Sequence, residues 1–358
     1  MIKANKGSEN INIKQNKLIL GIESSCDETS AAIVRNGREV LSNIIFSSAE
    51  LHKKYGGVVP EIASRKHLEA MPFVLEKVFT EANIERSQID AIAVTKGPGL
   101  IGSLLVGLSA AKTLAMTMDK PLYGIHHLAG HIAANYLTFP DLEPPFVSLI
   151  VSGAHSHIVL VKDYCDFEIL ARTRDDAPGE AFDKISREIG LGYPGGPLID
   201  KLAKQGNKNA FDLPKPKFEN SLDFSFSGLK TATLNILNQI KQKSKIQGND
   251  WQDIISPADF AATFQNALVE ILVEHTEKAL KLVGQDKLVL AGGVAANSQL
   301  RETFSENAMK NNYSLYLPEL KYCTDNAAMI ASQGYFHSLE KTADTIDLNA
   351  TAMLDISE

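Results

Sequence analysis

The pattern that most restricts how this chain can fold is one it uses twice. Lys17 to Glu23 (KLILGIE) is an apolar run that stops in a loop of hydroxyls and acids, Ser24-Ser25-Cys26-Asp27-Glu28-Thr29-Ser30, and resumes as a second apolar run, Ala31 to Val34. Phe146 to Gly153 (FVSLIVSG) repeats the theme, with a small-residue turn at Ser152-Gly153-Ala154-His155-Ser156 followed by His157 to Val161. Short apolar runs bounded by turn residues read as buried strands. Two strand-turn-strand units about one domain apart imply an α/β chain with a duplicated lobe, the two turns facing a shared cleft in which a nucleotide is the natural occupant. At 358 residues the chain is long enough for two domains, each with its own core.

The segments between these units supply the other elements. Val40 to Ser48 reads as a third strand and Ile89 to Val94 as another buried one. Pro60-Glu61 opens a helical stretch to about Ala82, with Ile62, Leu68, Met71, Val74, Leu75 and Val78 at apolar spacing, and Pro72 is expected to kink or split it. Asp175-Asp176-Ala177-Pro178-Gly179-Glu180 has the acids and proline of a helix start. In the helix that follows, Asp183 lies off the apolar stripe, placed either for a ribose hydroxyl or for an ion pair with Lys184. Gly192-Tyr193-Pro194-Gly195-Gly196-Pro197 is a rigid turn whose glycines allow close backbone approach to a ligand, with Asp200 about one turn later. Phe224 and Phe226 read as core, and Ser256 caps a long helix to about Val283. Leu288 to Asn297 ends a buried strand in a double glycine, which leaves Asn297 to touch a ligand or to cap the next helix.

Chemistry concentrates in Gly124-Ile125-His126-His127-Leu128-Ala129-Gly130-His131, where three of the nine histidines fall within six positions. Pro121 to Ile125 reads as a short strand and Leu128 to Leu137 as a helix, so His127 and His131 lie one turn apart on one face. That spacing lets two imidazoles converge on a metal ion, and equally suits one helix cap and one histidine in a polar pocket. Leu128 stands where a zinc protease of the H-E-x-x-H type needs its glutamate, which makes that mechanism improbable. Asp325 sits at another helix start, where the helix dipole favours a carboxylate with or without a metal.

Charge and composition exclude some classes. The net charge of −7 does not mark a nucleic-acid binder, yet Lys201 to Lys245 holds nine lysines against Asp212, Glu219 and Asp223, a local +6 that leaves −13 for the rest. A basic surface of this kind suits a phosphate backbone, or is a solvated loop and helix face. The longest run free of Asp, Glu, Lys and Arg, Pro121 to Pro140, is too polar to span a bilayer. The first 17 residues lack an apolar stretch and read as a loose tail. Cys26, Cys165 and Cys323 form neither a disulfide framework nor a zinc knuckle, so a reducing, cytoplasmic setting is expected.

With GIESSCDETS, HHLAGH, SGAHS, DDAPGEAFDK, GYPGGP, FSFSGLKTA, AGGVAAN and CTDNAAMIA in one order, the chain closely resembles the TsaD family of tRNA N6-adenosine threonylcarbamoyltransferases over about Leu18 to Phe336. The resemblance implies a two-lobed actin-like and sugar-kinase fold with duplicated ribonuclease-H-like lobes: a tail at 1–17, lobes at 18–140 and 141–340 with a basic insertion near 201–250, and a tail at 341–358. It implies that His127, His131 and Asp325 bind one divalent ion, iron(II) first and zinc second, and that Ile150, Val151, Ser152, Gly153, Ala154, Asp183, Gly196, Asp200 and Asn297 line the adenylate site. The implied reaction moves a threonylcarbamoyl group from threonylcarbamoyl-AMP to adenosine 37 of a tRNA, with Asp27 and Glu28 as candidates for proton handling. A TsaB-type paralogue and a TsaE-type ATPase are the implied partners. The helix from about Leu100 to Met116, with Ser103, Gly107, Ala111 and Ala115 every four residues, is either their docking face or a buried element. Two residues depart from the family pattern: Ala154 replaces a glycine in the phosphate loop, and Ser30 replaces a glycine at the end of the opening loop. A small-molecule kinase on the same fold is the alternative reading.

Overall fold

A computed structural model describes residues 16–214 and 221–357. Lys215, Lys217 and Glu219 of the basic segment, and nearly all of the amino-terminal tail, lie outside the described residues.

Two five-stranded sheets carry the fold. The first joins β1 (Leu18–Glu23), β2 (Glu28–Arg35), β3 (Glu39–Ser47), β4 (Ala91–Gly97) and β5 (Leu122–His126) in the order β3-β2-β1-β4-β5. The second joins β6 (Phe146–Val151), β7 (Ser156–Asp163), β8 (Asp166–Arg172), β9 (Lys287–Ala291) and β10 (Ser314–Tyr316) in the order β8-β7-β6-β9-β10. In each sheet the first three strands pair antiparallel and the last two run parallel to the first. The repeated sequence pattern is therefore a repeated topology.

The helices are α1 (Ala49–His52), α2 (Pro60–Ala82), α3 (Ile101–Met118), α4 (His127–Thr138), α5 (Pro178–Glu188), α6 (Gly195–Ala203), α7 (Ser227–Gln247), α8 (Pro257–Val283), α9 (Ser298–Asn311) and α10 (Ala327–Glu340). Strand alternation sorts the core into layers. Leu20, Ile22, Ile92 and Val94 of the first sheet face α2 and α3, while Ile19, Ala93 and Ile125 face α4 and α10. The same two helices meet Ile150, Val159 and Val289 of the second sheet, whose far face, including Leu149, Val151 and Leu290, packs on α5 to α9. Because α4 and α10 touch a sheet on both sides they are apolar nearly all round, and Ala129, Ala133, Ala327 and Ala331 let them approach closely. Residues 344 to 352 return along the first sheet: Asp344 N–H donates to Leu122 O (2.8 Å), Thr351 N–H to Lys96 O (2.8 Å), and Ala352 O accepts Gly99 N–H (3.1 Å).

Two expectations change. Pro72 neither splits nor ends α2, which runs through it. The carbonyl deprived of a donor belongs to Leu68, a residue 63% exposed, and Met71, Val74 and Val78 hold the helix to the sheet. Leu68 thus lies on the outer face rather than in the apolar stripe. The ridge of Ser103, Gly107, Ala111 and Ala115 is buried. Ser24 Oγ donates to Ser103 O (2.9 Å) and accepts Gly107 N–H (3.2 Å), and a Cβ at Gly107 would collide with that hydroxyl. The outer face of α3 instead carries Ile101, Leu105 and Met116. Among the described residues α3 is also the one helix long and apolar enough to cross a membrane by length and composition, but its inner ridge packs on β1 and β4.

Candidate metal and adenylate site

Both helices of the central layer begin at the cleft. β5 ends at His126, whose Nδ1 accepts the Leu128 N–H (3.1 Å) and so starts α4, putting His127 in the first turn and His131 one turn on. Asn326 caps α10 by accepting the Met329 N–H (3.1 Å), which leaves Asp325 just outside the cap. Asp325 therefore stands at the start of α10, beside histidine side chains from the first two turns of α4.

Asp325 Oδ1 lies 3.2 Å from His131 Nε2 and 3.5 Å from His127 Nε2, and one donor atom from each residue falls within 4.8 Å of the others. Both His131 ring nitrogens are buried and make no hydrogen bond, although one is this close to the carboxylate. A buried imidazole without a hydrogen-bond partner, beside a carboxylate and a second imidazole, has the chemistry of a ligand set, so two imidazoles and a carboxylate fit one divalent ion. Burial alone would depress His127, but the charges of Asp325 and Glu23 raise it to about 9. Burial alone would raise Asp325, and the His127 charge and the His131 ring instead hold it well below the ordinary carboxylate range. Without an ion, His127 thus keeps a proton between two carboxylates.

His127 and Asp325 line a cavity of about 740 Å³ between the lobes, and His131 is buried beside Asp325. One wall is the opening loop with Ser25, Cys26, Asp27 and Glu28. Glu28 accepts Ser47 Oγ–H (2.9 Å), and burial followed by the charges of Asp27 and Asp325 pushes its carboxyl well above the usual value. The other wall begins with the β6–β7 turn. Ser152 closes it, donating N–H to His155 O (2.9 Å) and accepting His155 N–H on Oγ (3.1 Å), which turns Gly153 and Ala154 toward the cavity. Ile150 and Val151 do not line the cavity: both are wholly buried in β6, facing opposite cores.

Asp183, Gly196, Asp200 and Asn297 complete that wall. Asp183 makes no ion pair with Lys184, which reaches Glu188 (2.9 Å); it accepts the Gly195 N–H (2.6 Å) and so braces the GYPGGP turn. Asp200 accepts Ser298 Oγ–H (2.8 Å) and Gln265 Nε2–H (3.2 Å). Asn297 lines the cavity and caps a helix at once, accepting the Leu300 N–H (2.9 Å) while donating to Gln265 Oε1 (2.8 Å). Gly292 makes the close approach possible. It lies at φ +87°, and a Cβ there would run into the Val151 carbonyl. Gly292→Ala should therefore lower stability by about 1–3 kcal/mol, read as a drop in the midpoint of thermal unfolding.

Some residues were not singled out by sequence. His155, Tyr193 and Ala352 line the cavity, and Glu23 stands behind His127. Glu23 ends the first apolar run of the chain, and a carboxylate at the buried end of a strand was the available signal. Both departures from the family pattern are also placed. Ala154 turns its methyl into the cavity wall, and the buried Ser30 accepts the Ala327 N–H on Oγ (2.9 Å), tying β2 to the first turn of the helix behind Asp325. In the basic segment, Lys230 is ion-paired with Asp176, and Asp175 accepts the N–H groups of Phe226 (2.8 Å) and Ser227 (3.2 Å). That lysine anchors the FSFSGLK stretch to the DDAPGE stretch, whereas Lys201 and Lys204 reach the cavity.

Two lobes of one topology, closing on a cavity at the ends of their parallel strands, make the two-lobed fold of the actin-like and sugar-kinase class. Solved structures agree on the fold: full-length HypF in its phosphate- and nucleotide-bound form (14% identity, TM-score 0.58, 93% of this chain and 48% of that one) and HypF of T. kodakarensis (16%, 0.59, 91% and 48%). The profile of TsaD, tRNA N6-adenosine threonylcarbamoyltransferase, matches residues 39–332. Proteins of that name from Clostridium kluyveri (53% identical over 342 residues, 95% of this chain and 98% of theirs) and Clostridium perfringens (53% over 343 residues, 96% and 99%) are similar along nearly their whole length. The chain belongs to this family, the acyltransferases that form N6-threonylcarbamoyladenosine in tRNA; the kinase alternative finds no support.

Proposed function

We propose that the cleft holds threonylcarbamoyl-AMP with its adenylate against Ser152, Gly153, Ala154, Asp183, Gly196, Asp200 and Asn297, and offers its carbamoyl carbon to N6 of adenosine 37 in a tRNA that reads codons beginning with A. Support comes foremost from the convergence of His127, His131 and Asp325, the first and last of which line the same cavity as these residues. In the transfer, the N6–C bond forms, the bond from carbamoyl carbon to phosphate oxygen breaks, and AMP leaves. His127, His131 and Asp325 would hold one divalent ion, iron(II) or zinc, which supplies a Lewis acid with positions open to substrate.

The protein's own groups do the positioning. The N–H groups of Gly153 and Ala154 in the β6–β7 turn suit a phosphate, and Asp183 and Asp200, already fixed by Gly195 and Ser298, suit ribose hydroxyls. Glu28, whose carboxyl holds a proton to higher pH than usual, and Asp27 beside it are placed to handle the proton that N6 sheds. The lobes at 18–140 and 141–340, with α10 in the layer they share, are the working units in this reading. It further includes a cytoplasmic setting and a heteromer with a TsaB-type paralogue and a TsaE-type ATPase. With the buried ridge of α3 excluded as a docking face, its outer face with Ile101, Leu105 and Met116 takes that role.

The test is to supply the purified chain and a TsaB-type partner with threonylcarbamoyl-AMP and unmodified tRNA and to count threonylcarbamoyladenosine per tRNA by nucleoside analysis. Stoichiometric modification with release of AMP is expected, and none under any metal loading overturns the reading. Lys201 and Lys204 are the described lysines at the cavity rim, so K201Q with K204Q should flatten the dependence of log tRNA affinity on log salt by about 0.7–0.9 for each phosphate no longer neutralised. An unaltered slope puts the tRNA elsewhere.

A further inference from the structure

We infer that Glu23 is a positioning residue that fixes the ring of His127 with its proton on Nδ1, so that Nε2 is always the atom offered to the metal. The inference rests on the metal reading above.

Glu23 ends β1, is wholly buried, and is not part of the cavity wall, so it does not meet substrate. Its Oε1 accepts the Ser25 N–H (2.5 Å), and its Oε2 accepts the Thr95 Oγ–H (2.5 Å) and lies 3.2 Å from His127 Nδ1. On the far side of the imidazole, Nε2 faces Asp325. A buried carboxylate survives where donors satisfy it, and three converge here. The Ser25 N–H can only donate, and the short contact to Thr95 holds the second oxygen in place. The one role left to His127 Nδ1 at that oxygen is to donate, which leaves the Nε2 lone pair for a metal. A histidine ligand held from behind by a carboxylate has its tautomer and orientation set in this way.

The arrangement makes an unusual forecast. In Glu23→Gln the amide NH2 cannot face the Ser25 N–H, since two donors would meet, so it replaces Oε2 and donates toward His127 Nδ1. The Thr95 hydroxyl can rotate to accept, but the imidazole must then accept at Nδ1 and carry its proton on Nε2, the atom the metal needs. Glu23→Ala removes the carboxylate without installing a donor, and Ser25 Oγ, 3.2 Å from His127 Nδ1, can take the proton instead. The near-isosteric substitution should therefore do more harm than the truncation.

Zinc affinity is measured for the full-length wild type, E23Q and E23A by competition with a chromogenic chelator. In the zinc-loaded wild type the ring proton of His127 is located by 15N-edited NMR. Expected are a protected Nδ1–H with zinc on Nε2, a loss of about ten- to a hundredfold in affinity for E23Q, and a smaller loss for E23A. Zinc on Nδ1 in the wild type overturns the inference, and so does E23Q binding within twofold of wild type or E23A binding more weakly than E23Q. Should E23Q fail to fold, the wild-type NMR measurement decides alone. A wild type that binds no zinc and no iron(II) refutes the metal reading itself, an outcome distinct from any of these.

Discussion

Asp325→Asn will cost the protein its metal while leaving its fold. The substitution keeps the shape of the side chain and removes the charge that lies within 3.5 Å of both imidazoles. Losing a carboxylate that merely supports a ligand costs about 10–100-fold in metal affinity, and losing one that is itself a ligand should exceed about 100-fold. The cap of α10 is Asn326, whose bond to the Met329 N–H is untouched, and the helix is otherwise held by apolar packing on both sheets. Thermal unfolding should remain a single cooperative step. Competition titration with a chelator reads the metal, and modification of tRNA should fall in parallel. Wild-type metal stoichiometry in Asp325→Asn would place the metal elsewhere.

How far the sequence foretells such a site depends on the range of the interactions that build it. His127 and His131 were legible because their relation is one helical turn. Asp325 could be read locally only as a carboxylate at a helix start; that it meets the histidines is a consequence of α4 and α10 lying side by side between the sheets. The duplication was legible because strand-turn-strand patterns are local. The sharing of the central layer was not, since it depends on which face of each sheet a helix finds. Asp183 shows the same limit: its neighbour Lys184 was the obvious partner by distance along the chain, and Gly195, twelve residues on, holds it instead. At Asn297 the two open readings proved compatible, because the residue lines the cavity while its side chain caps α9 through its oxygen and donates to Gln265 through its nitrogen. The ridge of α3 had two uses that sequence could not separate. Small residues let a partner helix approach, and equally let the helix settle on its own sheet over Ser24.

Metal affinity should climb steeply with pH, because the ion must displace the proton that His127 holds. That proton is retained up to about pH 9 by Asp325 and Glu23 against the opposing effect of burial. Below that pH each unit of acidity makes the displacement about tenfold harder, so apparent affinity should rise by on the order of a hundredfold between pH 6.5 and 8.5 and level off above about 9. Stability of the metal-free protein should move the opposite way. A histidine whose folded pKa is raised above its ordinary 6.5 contributes stability that is complete below 6.5 and disappears as pH passes through about 9. The loss is on the order of 3 kcal/mol, a figure that already contains the interactions seen from Asp325 and Glu23 and is not added to them. The metal-loaded protein should not show it, since the ion takes over the role of the proton between the two carboxylates. Unfolding midpoints at pH 6.5, 7.5, 8.5 and 9.5, with and without zinc, should therefore diverge as pH rises. Parallel curves, or a zinc affinity that does not change over this range, would mean that His127 gives up no proton when the ion binds.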